Sequence, residues 1–167
     1  MKIAILLVAH GSPPRDIPKE TLRKLRKLRI AAEEGREVKE ELQKLEMEIR
    51  RWPRNKDNDP YWWHVEKIAK ALSKKLGIDT YTAYLEFCSP SLSEKLKEIL
   101  PKYSTIIITP TMIIKGSKYV EKDIKREIKS ITKQIRSKKI IYAYPYTDRD
   151  IIELLTKHLT KTIKKKL

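Results

Sequence analysis

The sequence predicts an α/β protein: a four-stranded parallel sheet in the order 2-1-3-4, sandwiched between helices in three layers, with an enlarged helical first crossover. Three observations predict it. Residues 3–9 (IAILLVA) are an unbroken apolar run, the pattern of a strand covered on both faces. Further on, short apolar runs alternate with longer stretches of helical periodicity, which calls for right-handed βαβ crossovers. The chain has 167 residues, enough for one domain over its whole length that buries a core without staples.

The elements follow in order. The first strand is far shorter than the roughly 20 residues of a membrane span, and no small-x-small cleavage site follows it, so it reads as a strand and not as a leader. A charged helical insertion at about 18–58 comes next, broken near Gly35. In its second half Val38, Leu42, Leu45, Ile49 and Trp52 form a narrow apolar stripe. That stripe suits packing on Leu22, Leu25 and Leu28 of the first half, or on a second subunit. The polar segment 53–59 (PRNKDND) ends the insertion. Asp59 and Pro60 then open a helix as N-cap and first residue, Gly77 stops it, and Tyr61, Val65, Ile68, Leu72 and Leu76 mark its inward stripe.

Residues 80–87 (TYTAYLEF) read as the second strand, and Ser89-Pro90 caps a helix that runs to Leu100 before Pro101. The third strand is 104–112, followed by a helix with Val120, Ile124, Ile128, Ile131 and Ile135 on one face. The fourth is 138–146, and Thr147 or Asp148 caps a last helix whose Ile151, Leu155, Leu159 and Ile163 face inward. The arrangement is flavodoxin-like.

Charge is the dominant compositional feature: 38 Lys and Arg against 22 Asp and Glu, a net +16. Such a balance favours polyanionic partners; a lysine-rich surface suited to heat is the plainer alternative, stronger for the tail 161–166 (KTIKKK), which reads as a solvated helix end, than for the chain as a whole. The single cysteine, Cys88, makes no internal disulfide, so the sequence asks for no oxidising compartment and the cytoplasm is expected.

Order 2-1-3-4 puts a topological switch between strands one and three, where open α/β sheets bind ligands beyond the strand carboxyl ends. His10-Gly11-Ser12 ends strand one there, and the loop 110–119 (PTMIIKGSKY) lies across the crevice. Neither G-x-G-x-x-G nor G-x-x-x-x-G-K-[ST] occurs, so no nucleotide cofactor is expected. What gathers at the crevice is His10, Ser12, Glu86, Lys115, Ser117, Lys118 and Tyr119. An imidazole and a carboxylate converging on one cavity suit a divalent metal, and suit proton abstraction equally. The plainer alternative is a histidine bonded to a neighbouring loop. Glu86 follows an apolar strand, where a carboxylate is costly without a cation or a proton. His64 and His158 lie on helices and read as structural or surface residues, and Cys88 reads as a packing residue.

Four segments, LLVAHGS, PYWWHVEKIAKAL, AYLEFCSPSLSEKLKEIL and the strand III-TP-TMI followed by G-x-x-x-V-E-K-D-I, resemble the small single-domain sirohydrochlorin cobaltochelatases, a class II chelatase family related to ferrochelatase. The resemblance covers residues 1–17 and 59–150 and implies a chelatase-like fold. It further implies insertion of Co2+, or of Ni2+ or Fe2+, into sirohydrochlorin, a polycarboxylated tetrapyrrole that gives the positive charge a substrate to attract. His10 matches the family's metal ligand or base, Glu86 its glutamate, and the short forms pair as homodimers. Ser12, Lys115, Ser117, Lys118 and Tyr119 would line the substrate site. The family usually carries a second histidine where this chain has Tyr119, and a neutral phenol is a poor ligand. A non-catalytic metal or tetrapyrrole binder is therefore the first rival reading. A basic nucleic-acid-binding domain is the second, disfavoured because no aromatic-rich basic platform lies on a strand pattern.

Overall fold

The computed structural model describes residues 2–132 and 139–166. One parallel sheet runs β2-β1-β3-β4, from β1 (Ile3–Ala9), β2 (Asp79–Tyr84), β3 (Thr105–Pro110) and β4 (Lys139–Tyr142). The register sets Ile5 of β1 between Thr80 of β2 and Ile107 of β3, with Ile107 beside Ile141 of β4. β1 is central and almost wholly buried, which is why its sequence is apolar at every position instead of alternating.

Side chains on the two faces separate by strand parity. On one face Ala4, Leu6 and Val8 of β1 and Ile106 and Ile108 of β3 join Leu92, Leu96 and Ile99 of α4 (Leu92–Ile99) and Ile124 and Ile131 of α5 (Ile124–Thr132) in the main core. Ile135 of the expected stripe lies outside the described residues. On the other face Leu7, Ala9 and Tyr84 pack against Val65 and Ala69 of α3 (Pro60–Leu76), with Trp62 partly buried. The inward stripe expected for α3 is therefore corrected: Val65 belongs to it, but Tyr61, Ile68 and Leu76 are exposed at 39%, 50% and 52%. The apolar side of α3 is wider than the strip of sheet beneath it, and the line 62-65-69 wins the contact.

Helix ends follow their side chains. Asp59 accepts the Trp62 amide at 2.9 Å and Gly77 closes α3 in the left-handed conformation. For α4 the cap is Ser91, not Ser89-Pro90. Ser91 and Glu94 form a reciprocal capping box, which satisfies two orphan amides and outcompetes the earlier serine. Strand two ends at Tyr84, three residues before the expected end, and 85–90 is a run of bends in which the Glu86 amide still bonds the end of β1.

The insertion is a helical hairpin of α1 (Lys19–Glu33) and α2 (Lys39–Arg50). Its stripe closes within the chain: Leu45 and Ile49, with Val38, Leu42 and Trp52 at the margin, cluster with Leu22, Leu25, Leu28, Ile17 and Phe87. It is thus not the free face for a second subunit. The last helix, α6 (Asp148–Lys166), departs furthest from expectation, because it buries no residue. Leu155, Leu159 and Ile163 are 50%, 55% and 54% exposed, and only Ile151 and Thr162 are partly covered. Among the described residues no helix is long and apolar enough to cross a membrane.

Candidate functional site

Two backbone loops meet at the carboxyl ends of β1 and β2. The Glu86 amide donates to the His10 carbonyl at 2.8 Å, and the Leu85 amide to the Ala9 carbonyl at 3.0 Å, carrying the pairing one step past the strands. The approach is so close that a Cβ on Gly11, which sits at φ +90°, would lie 1.9 Å from the Glu86 carbonyl oxygen. Only glycine fits there.

His10 is half-buried, and its Nδ1 lies 2.9 Å from the Gly11 carbonyl oxygen. A carbonyl only accepts, so Nδ1 carries a hydrogen, and in the neutral ring the lone pair then lies on Nε2. The imidazole packs edge-on against Tyr119, with ring centroids 4.7 Å apart at 89°. Tyr119 begins a π-helical turn, Tyr119–Asp123, in which the Ile124 amide bonds back to the Tyr119 carbonyl. This wide turn presents the ring to the end of β1, and Val120 beneath it is fully buried.

Glu86 points to the insertion. Its Oε2 accepts from Arg29 Nη1 of α1 at 3.1 Å, and the same guanidinium reaches Glu46 of α2 at 2.9 Å and lies over the Phe87 ring at 5.4 Å. Burial of Arg29 disfavours its charge, but the bonds to Glu46 and Glu86 outweigh that and raise its pKa. Beside this pair, Pro13, Leu22, Leu25, Arg26 and Ile30 help to line a cavity of about 320 Å3.

A second layer fixes both loops. Arg50 of α2 donates to the Cys88 carbonyl at 2.8 Å and the Leu85 carbonyl at 2.5 Å. Arg54, 5% exposed, donates to the Ser12 carbonyl at 3.0 Å, to the Phe87 carbonyl and to Asp59, itself 2% exposed. Ser12 Oγ donates to Asp59 at 3.2 Å, so this hydroxyl is committed to the frame. Cys88 is packed into the same knot, its thiol pushed up to about 11 by burial, as suits a packing residue.

The sequence-derived set is thus only partly convergent. His10 and Tyr119 touch, and Glu86 joins His10 through the backbone. Lys115 pairs with Asp148 at 3.0 Å, and the Ser117 carbonyl accepts the Val120 amide at 3.1 Å where Lys118 precedes the π turn. Among the described residues no three His, Cys, Asp or Glu side chains group as a metal cage. Arg29, Arg50 and Arg54 are not in that set. Their spacing inside a charged helical stretch looks like solvated surface, and Arg54 lies beyond the end of α2, where helical periodicity gives no direction.

The CbiX family model matches residues 59–162. Comparison with curated proteins gives no match. Among solved structures, the sirohydrochlorin chelatase SirB from Bacillus subtilis subspecies spizizenii, in complex with cobalt, superposes with a TM-score of 0.54 at 15% identity over 96% of this chain and 51% of SirB. A Marinobacter aquaeolei VT8 protein, described as a cobalamin (vitamin B12) biosynthesis CbiX protein, superposes with 0.58 at 15% identity over 99% of both chains. SirB from Bacillus subtilis with Fe3+ gives 0.52 at 15% identity over 92% of this chain and 44% of that one. At such identities the likeness is one of fold, and the chain spans about half the length of the SirB chains it matches.

Proposed function

The chain belongs to the CbiX family, and from that premise we propose that it inserts a divalent metal into sirohydrochlorin or a closely related tetrapyrrole. The observation that carries this reading is His10, whose Nδ1 is committed to the Gly11 carbonyl, so that Nε2 is the ring atom that offers a lone pair when the imidazole is neutral. Replacing two pyrrole N–H protons by one M2+ ion releases two protons, so the site needs a metal-holding base and a second acceptor. His10 is the first: it binds the incoming ion or takes a pyrrole proton. Glu86 is the second, accepting a proton or orienting the ion, with Arg29 fixing one of its oxygens. Lys115, Ser117 and Lys118 meet the macrocycle's carboxylates, Tyr119 shapes the wall beside the imidazole, and Ser12 acts through its hold on Asp59.

In this reading the metal is Co2+, with Ni2+ and Fe2+ as alternatives; SirB structures with cobalt and with Fe3+ support a metal as substrate. The protein works in the cytoplasm as one domain over 1–167. Two copies supply the length of one SirB chain, which supports a homodimer. Tyr119 favours a second reading, a carrier that binds metal or macrocycle without turnover. Anaerobic incubation with sirohydrochlorin and Co2+, Ni2+ or Fe2+, followed by absorbance, separates the two. Turnover lost in His10→Ala supports the chelatase, whereas stoichiometric binding without turnover in the wild type supports the carrier.

A further inference from the structure

We propose that the α1–α2 hairpin holds a subsite for one acid arm of the tetrapyrrole, and that the arm takes Arg29 from Glu86 as it enters. The inference rests on the proposed function and deepens it, because it names the residues that read the macrocycle's edge and release the second acceptor. Glu86 is engaged by the insertion. Its Oε2 accepts from Arg29 Nη1 at 3.1 Å, so one carboxylate oxygen is occupied and the guanidinium beside it repels an arriving cation. Arg29 itself is held: its Nε and Nη2 donate to Glu46 Oε1 at 3.0 and 2.9 Å, and it lies over the Phe87 ring. The Glu86 backbone is held too, by its amide at the His10 carbonyl and by Arg50 on the Leu85 and Cys88 carbonyls. The movement left to Glu86 is a rotation of its carboxylate away from a fixed guanidinium, with a new anion arriving at Nη1.

The cavity beside the pair has the chemistry for that anion. It measures about 320 Å3, and both loops that meet at the crevice reach it, through Pro13 and through Phe87. Leu22, Arg26, Arg29 and Ile30 recur at helical spacing on its α1 side. Apolar walls with two guanidiniums suit a carboxylate on a short hydrocarbon stem, which gains charge-assisted hydrogen bonds at its head and burial along its length. Arg26 is available for it, with no ion pair or hydrogen bond among the described residues. Glu33 also lines the cavity, but α1 carries six Lys and Arg against two Glu, so the helix attracts an anion. An arm bridging Arg26 and Arg29 exchanges one ion pair for another, with no proton or electron moved. Glu86 is then released only when a macrocycle is seated, and joins His10 at that moment. The hairpin lies outside the residues 59–162 that the family model matches, so this subsite belongs to the insertion.

The test uses the full chain, with butyrate as the probe for the arm. In calorimetric titration without macrocycle, butyrate should tighten Co2+ binding to the wild type by about three- to tenfold. Arg29→Met, checked for folding by circular dichroism, should bind Co2+ that tightly without butyrate, and Arg26→Ala and Glu86→Gln should not respond to it. Absorbance titration should show sirohydrochlorin held about tenfold more weakly by Arg26→Ala, and unchanged by Arg23→Ala, whose residue sits on the same helix paired with Glu20. A wild type indifferent to butyrate, a response that persists in Arg26→Ala or Glu86→Gln, or an Arg29→Met protein that binds Co2+ no more tightly than the wild type would each overturn the exchange. Unchanged sirohydrochlorin affinity in Arg26→Ala would overturn it as well, and a butyrate response beside that result would leave the cavity to a free carboxylic acid. Co2+ insertion in the same preparations keeps the two readings apart. Insertion without a butyrate response removes the exchange alone; a butyrate response with Arg26-dependent macrocycle binding but no insertion removes the chelatase alone.

Discussion

The imidazole of His10 and the phenol ring of Tyr119 meet edge to face, with centroids 4.7 Å apart at 89°. This places an aromatic wall where a second nitrogen ligand would serve a metal held by His10. A phenol oxygen that keeps its proton is a poor ligand for such an ion. Tyr119→His is therefore expected to tighten Co2+ binding by about tenfold or more, equivalent to roughly 1.4 kcal/mol. His10→Ala should abolish it in either background. Calorimetric titration with Co2+ measures both, and unchanged affinity in Tyr119→His would mean that position 119 does not face the bound ion.

The buried pair of Arg54 and Asp59 holds the His10 and Glu86 loops together from below. Arg54 reaches the Ser12 and Phe87 carbonyls while Asp59 caps α3. Removing the cation alone strands a carboxylate that is 2% exposed. Arg54→Met should cost about 3–5 kcal/mol, and Arg54→Met/Asp59→Asn should cost less than Arg54→Met alone. Urea midpoints decide the order, and equal losses in the two variants would show that the charge pair is not what stabilises the knot.

Sheet order and strand positions were legible because β1 and β3 are buried apolar runs, and the switch-point rule led from them to His10 and the loop before Tyr119. The insertion was legible as helix but not as part of the site. A guanidinium bonded to backbone carbonyls leaves no pattern in spacing, so Arg50 and Arg54 look like any solvated arginine. Apolar periodicity also marks a face without saying what covers it. The stripe at 38–52 closes on α1, whereas the equally regular stripe of α6 has no buried residue among the described residues.

Gly11 and Gly116 share a left-handed backbone, with φ of +90° and +92°, yet differ in surroundings. A Cβ at Gly116 meets nothing within 4 Å, whereas at Gly11 it meets the Glu86 carbonyl. Gly116→Ala should therefore lose only the conformational term of about 1–2 kcal/mol. Gly11→Ala must in addition push the β2 turn away from β1, and should lose clearly more stability together with Co2+ binding. Chemical denaturation of both variants, paired with metal titration, isolates the clash, and equal losses would remove it.

Two glutamates should give the stability of the protein opposite responses to acid. Backbone donation from Ser91, aided by its hydroxyl, holds the Glu94 carboxyl below its ordinary range; burial pushes that of Glu127 above it, despite the bond from the Ser93 amide at 2.8 Å. With its folded pKa depressed, Glu94 contributes stability above the unfolded value of about 4.3 and loses it as pH falls through the folded value. With its folded pKa raised, Glu127 disfavours the folded state when ionised, and that cost vanishes as pH falls to the unfolded value. Thermal midpoints from pH 7 to pH 3 should show the deficit of Glu94→Ala shrinking with acid. Glu127→Gln, which keeps an acceptor for the Ser93 amide, should exceed the wild type at pH 7 and lose that advantage by about pH 4. Parallel curves for either variant and the wild type would mean that the carboxyl does not change its pKa on folding.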